Sequence, residues 1–204
     1  MKILKVNYIL SRLIFFARQF IYPRLSQFIQ THPKLEISIS ISERIPNFEH
    51  EQADLAVGFL LAAPDNTIRR RMATTRYVMC ASPSYFKQYG KPKVLSDLLK
   101  HCYIGHNARD EISNTHLKSG HTLKLKPTLV LNNVDSMIEC AKSGIGIVQL
   151  PLYLLEALLQ SGELIEVLSP YQATNTPVYY YYQKFRYVQP KIRCFIDFFL
   201  PKLV

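Results

Sequence analysis

The chain has 204 residues, 48% of them apolar, enough to bury a substantial core in one domain or two small lobes. Its formal charge of +10 comes from lysines and arginines scattered from Lys2 to Lys202, with Arg69, Arg70 and Arg71 the single dense run, so the excess reads as a solvated surface and not as a nucleic-acid footprint. Cys80, Cys102, Cys140 and Cys194 lie far apart without a C-x-x-C pair, which argues against a zinc site or a disulfide framework and for free thiols in a reducing cytoplasm.

Arg12 and Arg18 interrupt the apolar N-terminal stretch and no A-x-A site follows it, so a signal peptide is not expected. No segment approaches the roughly 18 uninterrupted apolar residues of a membrane span. Phe16, Phe20, Ile21, Leu25, Phe28 and Ile29 recur at three- and four-residue spacing, which predicts an amphipathic helix running towards His32, with Pro23 near its start or at a bend. From Leu35 to Ser42 isoleucines and a leucine alternate with serines and Glu36, the period of a half-buried strand. Asp54 to Phe59 and Tyr77 to Ala81 are apolar runs short enough to be buried strands.

Ser82-Pro83 then opens a helix, Ser supplying the cap oxygen and Pro occupying a position whose N–H has no helical acceptor, and Gly90 offers a left-handed stop. Ser96 and Asp97 start a brief helix through Lys100. Asn133 caps a helix whose Val134, Met137, Ile138 and Ala141 share one stripe, with Asp135 in its first turn and Gly144 at its stop. A buried strand from Ile145 to Leu150, a helix from Leu152 to Gln160 stopped by Gly162, and strands at Leu164–Leu168 and Val178–Tyr182 follow. Pro190 opens a last helix with Ile192, Phe195, Ile196 and Phe199 on one face. This alternation predicts an α/β protein with largely parallel sheets covered by helices.

Several patterns touch on chemistry and do not carry it. Ser143-Gly144-Ile145-Gly146 has the look of a dinucleotide loop, but Gln149 replaces the third glycine and the glycines follow a helix, so a helix stop with close backbone packing is the better reading. His101, Cys102 and His106 lack a fourth ligand at a metal-site spacing. There is no G-x-S-x-G elbow, and the carboxylates form no evident acid–base pair, so no catalytic residue, metal or cofactor is expected and the chain is read as a non-enzyme. Tyr179 to Tyr182 read as strand residues dividing between core and surface.

One ordered set of segments is specific. Tyr22-Pro23-Arg24-Leu25-Ser26-Gln27-Phe28, His32-Pro33, Glu43-Arg44, Asp54-Leu55-Ala56-Val57-Gly58, Cys80-Ala81-Ser82-Pro83-Ser84-Tyr85-Phe86 and Tyr89-Gly90-Lys91-Pro92 come first. Asp97-Leu98, His101-Cys102, Asn132 to Ser136, Ala141 with Gly144-Ile145-Gly146-Ile147, Leu150-Pro151, Ser161-Gly162-Glu163-Leu164 and Pro190 to Phe199 follow. In this order they resemble the effector-binding domain of LysR-type transcriptional regulators over nearly the whole chain.

The resemblance implies an α/β fold of two Rossmann-like subdomains, of the type II periplasmic-binding-protein kind, joined by two crossing strands. The first lobe would hold residues 1–77 plus 181–204 and the second residues 78–180, with a small-molecule effector in the cleft between them. Carried over by position, the pocket would use the loop after the first strand, with Ser11, Phe15 and Phe16, then Phe59, Ser82, Ile104, Gly105, His106, Asn132, Asn133, Val134 and Gln149. Helix starts at Ser82 and Asn133 would suit a carboxylate or similar anion. Leu13-Ile14-Phe15-Phe16-Ala17 departs from the small, polar residues usual there and would make the pocket greasy or fill it.

The resemblance further implies a homodimer or tetramer, no membrane, and DNA contact only through a winged helix-turn-helix for which this chain has no room. The rival readings are a free-standing solute-binding protein, an enzyme on a similar scaffold, and a remnant that folds without sensing.

Overall fold

A computed structural model describes residues 4–11, 17–42, 46–48, 50–51, 53–59, 65–107, 117–118, 123–184 and 188–199. In chain order the first elements are β1 (Leu4–Ser11), a π-helical turn (Ala17–Ile21), α1 (Tyr22–Thr31), β2 (Leu35–Ser42), β3 (Leu55–Phe59) and β4 (Thr67–Thr75). Then come β5 (Tyr77–Ala81), α2 (Pro83–Tyr89), a 3-10 turn (Leu95–Lys100), β6 (Tyr103–His106), β7 (Leu129–Leu131) and α3 (Val134–Lys142). The last are β8 (Ile147–Pro151), α4 (Leu152–Gln160), β9 (Ile165–Val167), a 3-10 turn (Ser169–Tyr171), β10 (Thr176–Gln183) and α5 (Pro190–Phe199). The chain divides into two compact units, Met1–Thr74 with Pro177–Val204, and Thr75–Thr176.

The first unit is built on a sheet in the order β2-β1-β3-β10-β4. β1 pairs in parallel with β2 and β3, while β10 runs antiparallel to β3, so the sheet is mixed and not the largely parallel one expected. Its core is aromatic. Tyr8 from β1 packs 4.1 Å from Phe195, and Phe28 of α1 lies 5.3 Å from Phe199 and 5.7 Å from Phe195, so α1 and α5 are joined through their rings over the sheet. Phe48, Ala53, Ala56 and Tyr181 form a second, smaller cluster. The Lys191 ammonium meets the Asp54 carboxylate at 2.6 Å and so ties the start of α5 to the start of β3.

The second unit has the order β7-β6-β8-β5-β9, with β6 parallel to β7 and β8, and β5 antiparallel to β8 and β9. All five residues of β5 are buried. Val78 and Cys80 join a cluster with Met137, Ile138 and Leu155 of α3 and α4, and Met79 and Ala81 join another with Tyr85, Phe86 and Leu98. That alternation is what a central strand covered on both faces requires. Burial pushes the Cys80 thiol up to about 12.

The helix ends follow their local chemistry. The Ser82 hydroxyl accepts from the Tyr85 N–H at 3.3 Å, and the Asn133 amide oxygen accepts from the Ser136 N–H at 3.0 Å, each satisfying one orphan donor of a first turn. Leu95–Lys100 is tied down from behind, since the Asp97 carboxylate accepts from the N–H groups of Lys93 and Val94. Gly144 takes φ +81 just past α3, and a Cβ on Gly146 would stand 2.6 Å from the Cys102 carbonyl oxygen. The glycine segment is therefore a helix stop and a close backbone crossing, opening no helix.

Candidate ligand-binding site

Both sheets contain a topological switch point, where successive connections leave a strand in opposite directions and the carboxyl ends of parallel strands open a crevice. In the first unit β1 lies between β2 and β3. The register Leu10 to Val57 carries Ser11 and Phe59 to the same carboxyl end. Phe15 and Phe16, and with them the apolar segment from Leu13, lie outside the described residues.

In the second unit β6 lies between β7 and β8. His106 pairs with Leu131, and the Asn107 N–H donates to the Leu131 carbonyl at 3.0 Å, which locks the ends of β6 and β7 together. Gly105 and His106 therefore share this end with Asn132, Asn133 and Val134, which follow β7 directly. Gln149 lies on β8, paired with Met79 and fully buried. Two helices begin here, α3 at Val134 and α4 at Leu152 straight after Pro151. Their first-turn N–H groups give this end of the sheet a positive field.

Two expected members are not brought to this end. Ser82 sits at the opposite one, because β5 runs antiparallel to β8 and ends beside the start of β6 and β8. A Cβ on Gly144, past the C-terminus of α3, would lie 3.6 Å from the Ser82 hydroxyl, so Ser82 and Asn133 are separated by the length of α3, roughly 13 Å. The serine is a helix cap. Ile104 is fully buried among Val148, Met137 and Ala141, so its side chain belongs to the core.

His101, Cys102 and His106 do not converge either. His101 Nδ1 is 3.1 Å from the Tyr85 hydroxyl at one end of β6, and His106 is at the other. The Cys102 N–H donates to the Tyr85 oxygen at 2.9 Å, so the tyrosine hydroxyl bridges Cys102 and His101. Burial holds the His101 imidazole below its ordinary range.

Arg76 is the feature that sequence reading misses. Its backbone carbonyl accepts from the Leu152 N–H, at the end of the sheet that carries His106, and its guanidinium holds both oxygens of Glu166 at 2.6 and 2.9 Å. That pair raises the guanidinium further above its ordinary value. The partners are 90 residues apart, and no local signal links them. For α4 the signal was present, Pro151 directly ending a buried run.

Residues 14–203 match the family described as LysR substrate binding domain. An uncharacterized HTH-type transcriptional regulator of Haemophilus influenzae is 27% identical over 180 residues, covering 87% of this chain and 62% of that protein. The regulatory domain of CrgA, a LysR-type transcriptional regulator from Neisseria meningitidis, superposes with a TM-score of 0.83 at 21% identity, covering 98% of each chain. The full-length Vibrio cholerae virulence activator AphB superposes with a TM-score of 0.80 at 18% identity, covering 98% of this chain and 68% of that one. At these identities the solved structures speak for the fold. The chain spans about 62% of the length of the first curated relatives it matches.

Proposed function

The chain belongs to the LysR substrate-binding-domain family, and from that membership we propose that it is the effector-sensing and dimerising part of a transcription regulator, with no covalent chemistry of its own. The observation that carries the reading is the switch-point placement. Ser11 and Phe59 end adjacent parallel strands of one sheet, and Gly105, His106, Asn132 and Asn133 end those of the other. Val134 and Gln149 complete the second set. An effector held at the strand ends of one unit would favour one state of that unit over another, and in a longer regulator that bias would reach DNA through the helix-turn-helix after which its relatives are described.

The first-turn amides of α3 and α4 suit a small carboxylate, and the short, uncharged lining residues Gly105, Asn132 and Asn133 suit a ligand read by hydrogen bonds. The four cysteines are free thiols, and among the described residues no helix is long and apolar enough to cross a membrane.

A thermal-shift screen of the purified chain against small organic acids, aromatic acids and amino acids tests the proposal, because a ligand that binds only the folded state stabilises it by mass action, about 2.7 kcal/mol at 100 times Kd. A saturable shift that His106→Ala removes, with the protein still folded, is expected. A flat screen on well-folded protein would overturn the sensing role.

A further inference from the structure

A groove of about 500 Å³ opens on the first unit, between the α1–β2 connection and the first turn of α5. That volume lies within the roughly 300–1,000 Å³ of small-molecule sites. It sits at the other end of the sheet from Ser11 and Phe59, since β2 begins at Leu35, paired with Leu4 at the start of β1. The eight residues of β1 span roughly 25 Å, so the groove is a separate place.

Its walls are mostly apolar, with Pro33, Leu35 and Pro190 among the lining residues together with Cys194. One wall is held in place. His32 Nδ1 lies 3.1 Å from the Phe28 carbonyl oxygen and 2.9 Å from the Thr31 hydroxyl, and its ring lies 4.6 Å from that of Phe28.

The charge on the lining has one sign. Among the described residues no carboxylate lines the groove. Lys191 is engaged by Asp54. Lys34 is exposed and makes no ion pair among the described residues, and the amino end of α5 adds its positive field. Apolar walls with one uncommitted ammonium at the rim match a molecule that has an apolar body and a single anionic head.

We propose that this groove binds an amphipathic monocarboxylate, its body against Pro33, Leu35 and Pro190 and its carboxylate on Lys34, as a ligand site distinct from the switch-point residues. The proposal stands on the groove alone and does not need the effector role to be correct.

Cys194 provides the readout. Its thiol donates to the Lys191 carbonyl at 3.2 Å, and burial holds it above its ordinary range, so iodoacetamide labelling is run at alkaline pH and followed by peptide mass spectrometry, with the fully buried Cys80 as internal reference. Octanoate is expected to slow Cys194 labelling in a saturable way, with octanol clearly weaker. Lys34→Ala, a solvent-facing change that leaves the core intact, should raise the half-protecting octanoate concentration about two- to fivefold, the scale of one exposed charge contact. His106→Ala should leave protection unchanged, which separates this site from the effector residues.

No protection at up to about 10 mM octanoate, a millimolar affinity limit, would overturn the proposal, as would equal protection by octanol or an unaltered Lys34→Ala variant. Protection that grows with protein concentration and ignores octanoate would also overturn it, and would assign the groove to a second copy of the chain.

Discussion

A methyl group on Gly146 would stand 2.6 Å from the Cys102 carbonyl oxygen and 3.0 Å from the Cys102 carbonyl carbon, both parts of a backbone that cannot swing aside. Gly146→Ala is expected to cost about 2–3 kcal/mol, read as a lowered midpoint in urea with an unchanged slope. An unchanged midpoint would mean that β6 and β8 separate more easily than their register implies. The Tyr180 hydroxyl carries the opposite sign, since it is buried with no partner among the described residues. Tyr180→Phe should be neutral or stabilising by up to about 1 kcal/mol, because it removes a desolvated group that returns no bond. A clear loss would reveal a partner for the phenol.

His101 gives a pH dependence with a definite sign. Its folded-state pKa lies below the ordinary imidazole value of 6.5, so the unfolded chain binds the extra proton first. The contribution to stability is present above that value and is lost as pH falls through it, because burial disfavours the charged imidazolium. Chemical denaturation between about pH 7 and pH 5 should show a slope that His101→Asn flattens. Equal slopes would remove His101 as its source.

Among the elements, α1 and α5 depend on each other most. Phe28 is fully buried and its ring lies within 5.7 Å of those of Phe195, Phe198 and Phe199. Phe28→Ala should cost about 3–5 kcal/mol by thermal denaturation, and a loss under about 1 kcal/mol would mean that α5 repacks without it. The aromatic spacing that announces this pair is local, and so are the caps at Ser82 and Asn133 and the proline at the head of α5. Such signals are legible in sequence because their hydrogen bonds close within a few residues.

Other elements were written in a form that sequence hides. β4 carries Arg69, Arg70 and Arg71, all exposed, at the edge of its sheet, and three adjacent charges conceal any alternation. Arg69 lies over the ring of Tyr179, 4.5 Å away, so one of the charges is also a packing group. β6 and β7 have four and three residues, too few for a period of two to show. The candidate site was half legible for the same reason. Asn133 declares itself a cap, but which end of a sheet a cap occupies depends on strand order, and strand order placed Ser82 away from it.

For the whole molecule, the proposed dimerising role calls for an isologous homodimer, and the surface offers material for one. Ile29 on α1 is exposed, and β2 is an edge strand of its sheet. Size-exclusion chromatography with light scattering at tens of micromolar, roughly where interfaces of about 1,600 Å² associate, should return twice the chain mass. A monomer throughout that range would remove dimerisation from the proposal.

The unit from Thr75 to Thr176 is contiguous, whereas the other is interrupted by it and completed only by β10 and α5. During synthesis the inserted unit has all its strands once Thr176 has emerged from the ribosome. The first 74 residues, in contrast, wait with Tyr8 and Phe28 lacking Phe195 and Phe199, and with β3 lacking its neighbour β10. Translation order thus makes residues 1–74 the longer-lived unfinished surface of these two units, and a chaperone acting on them during synthesis is expected to engage that segment.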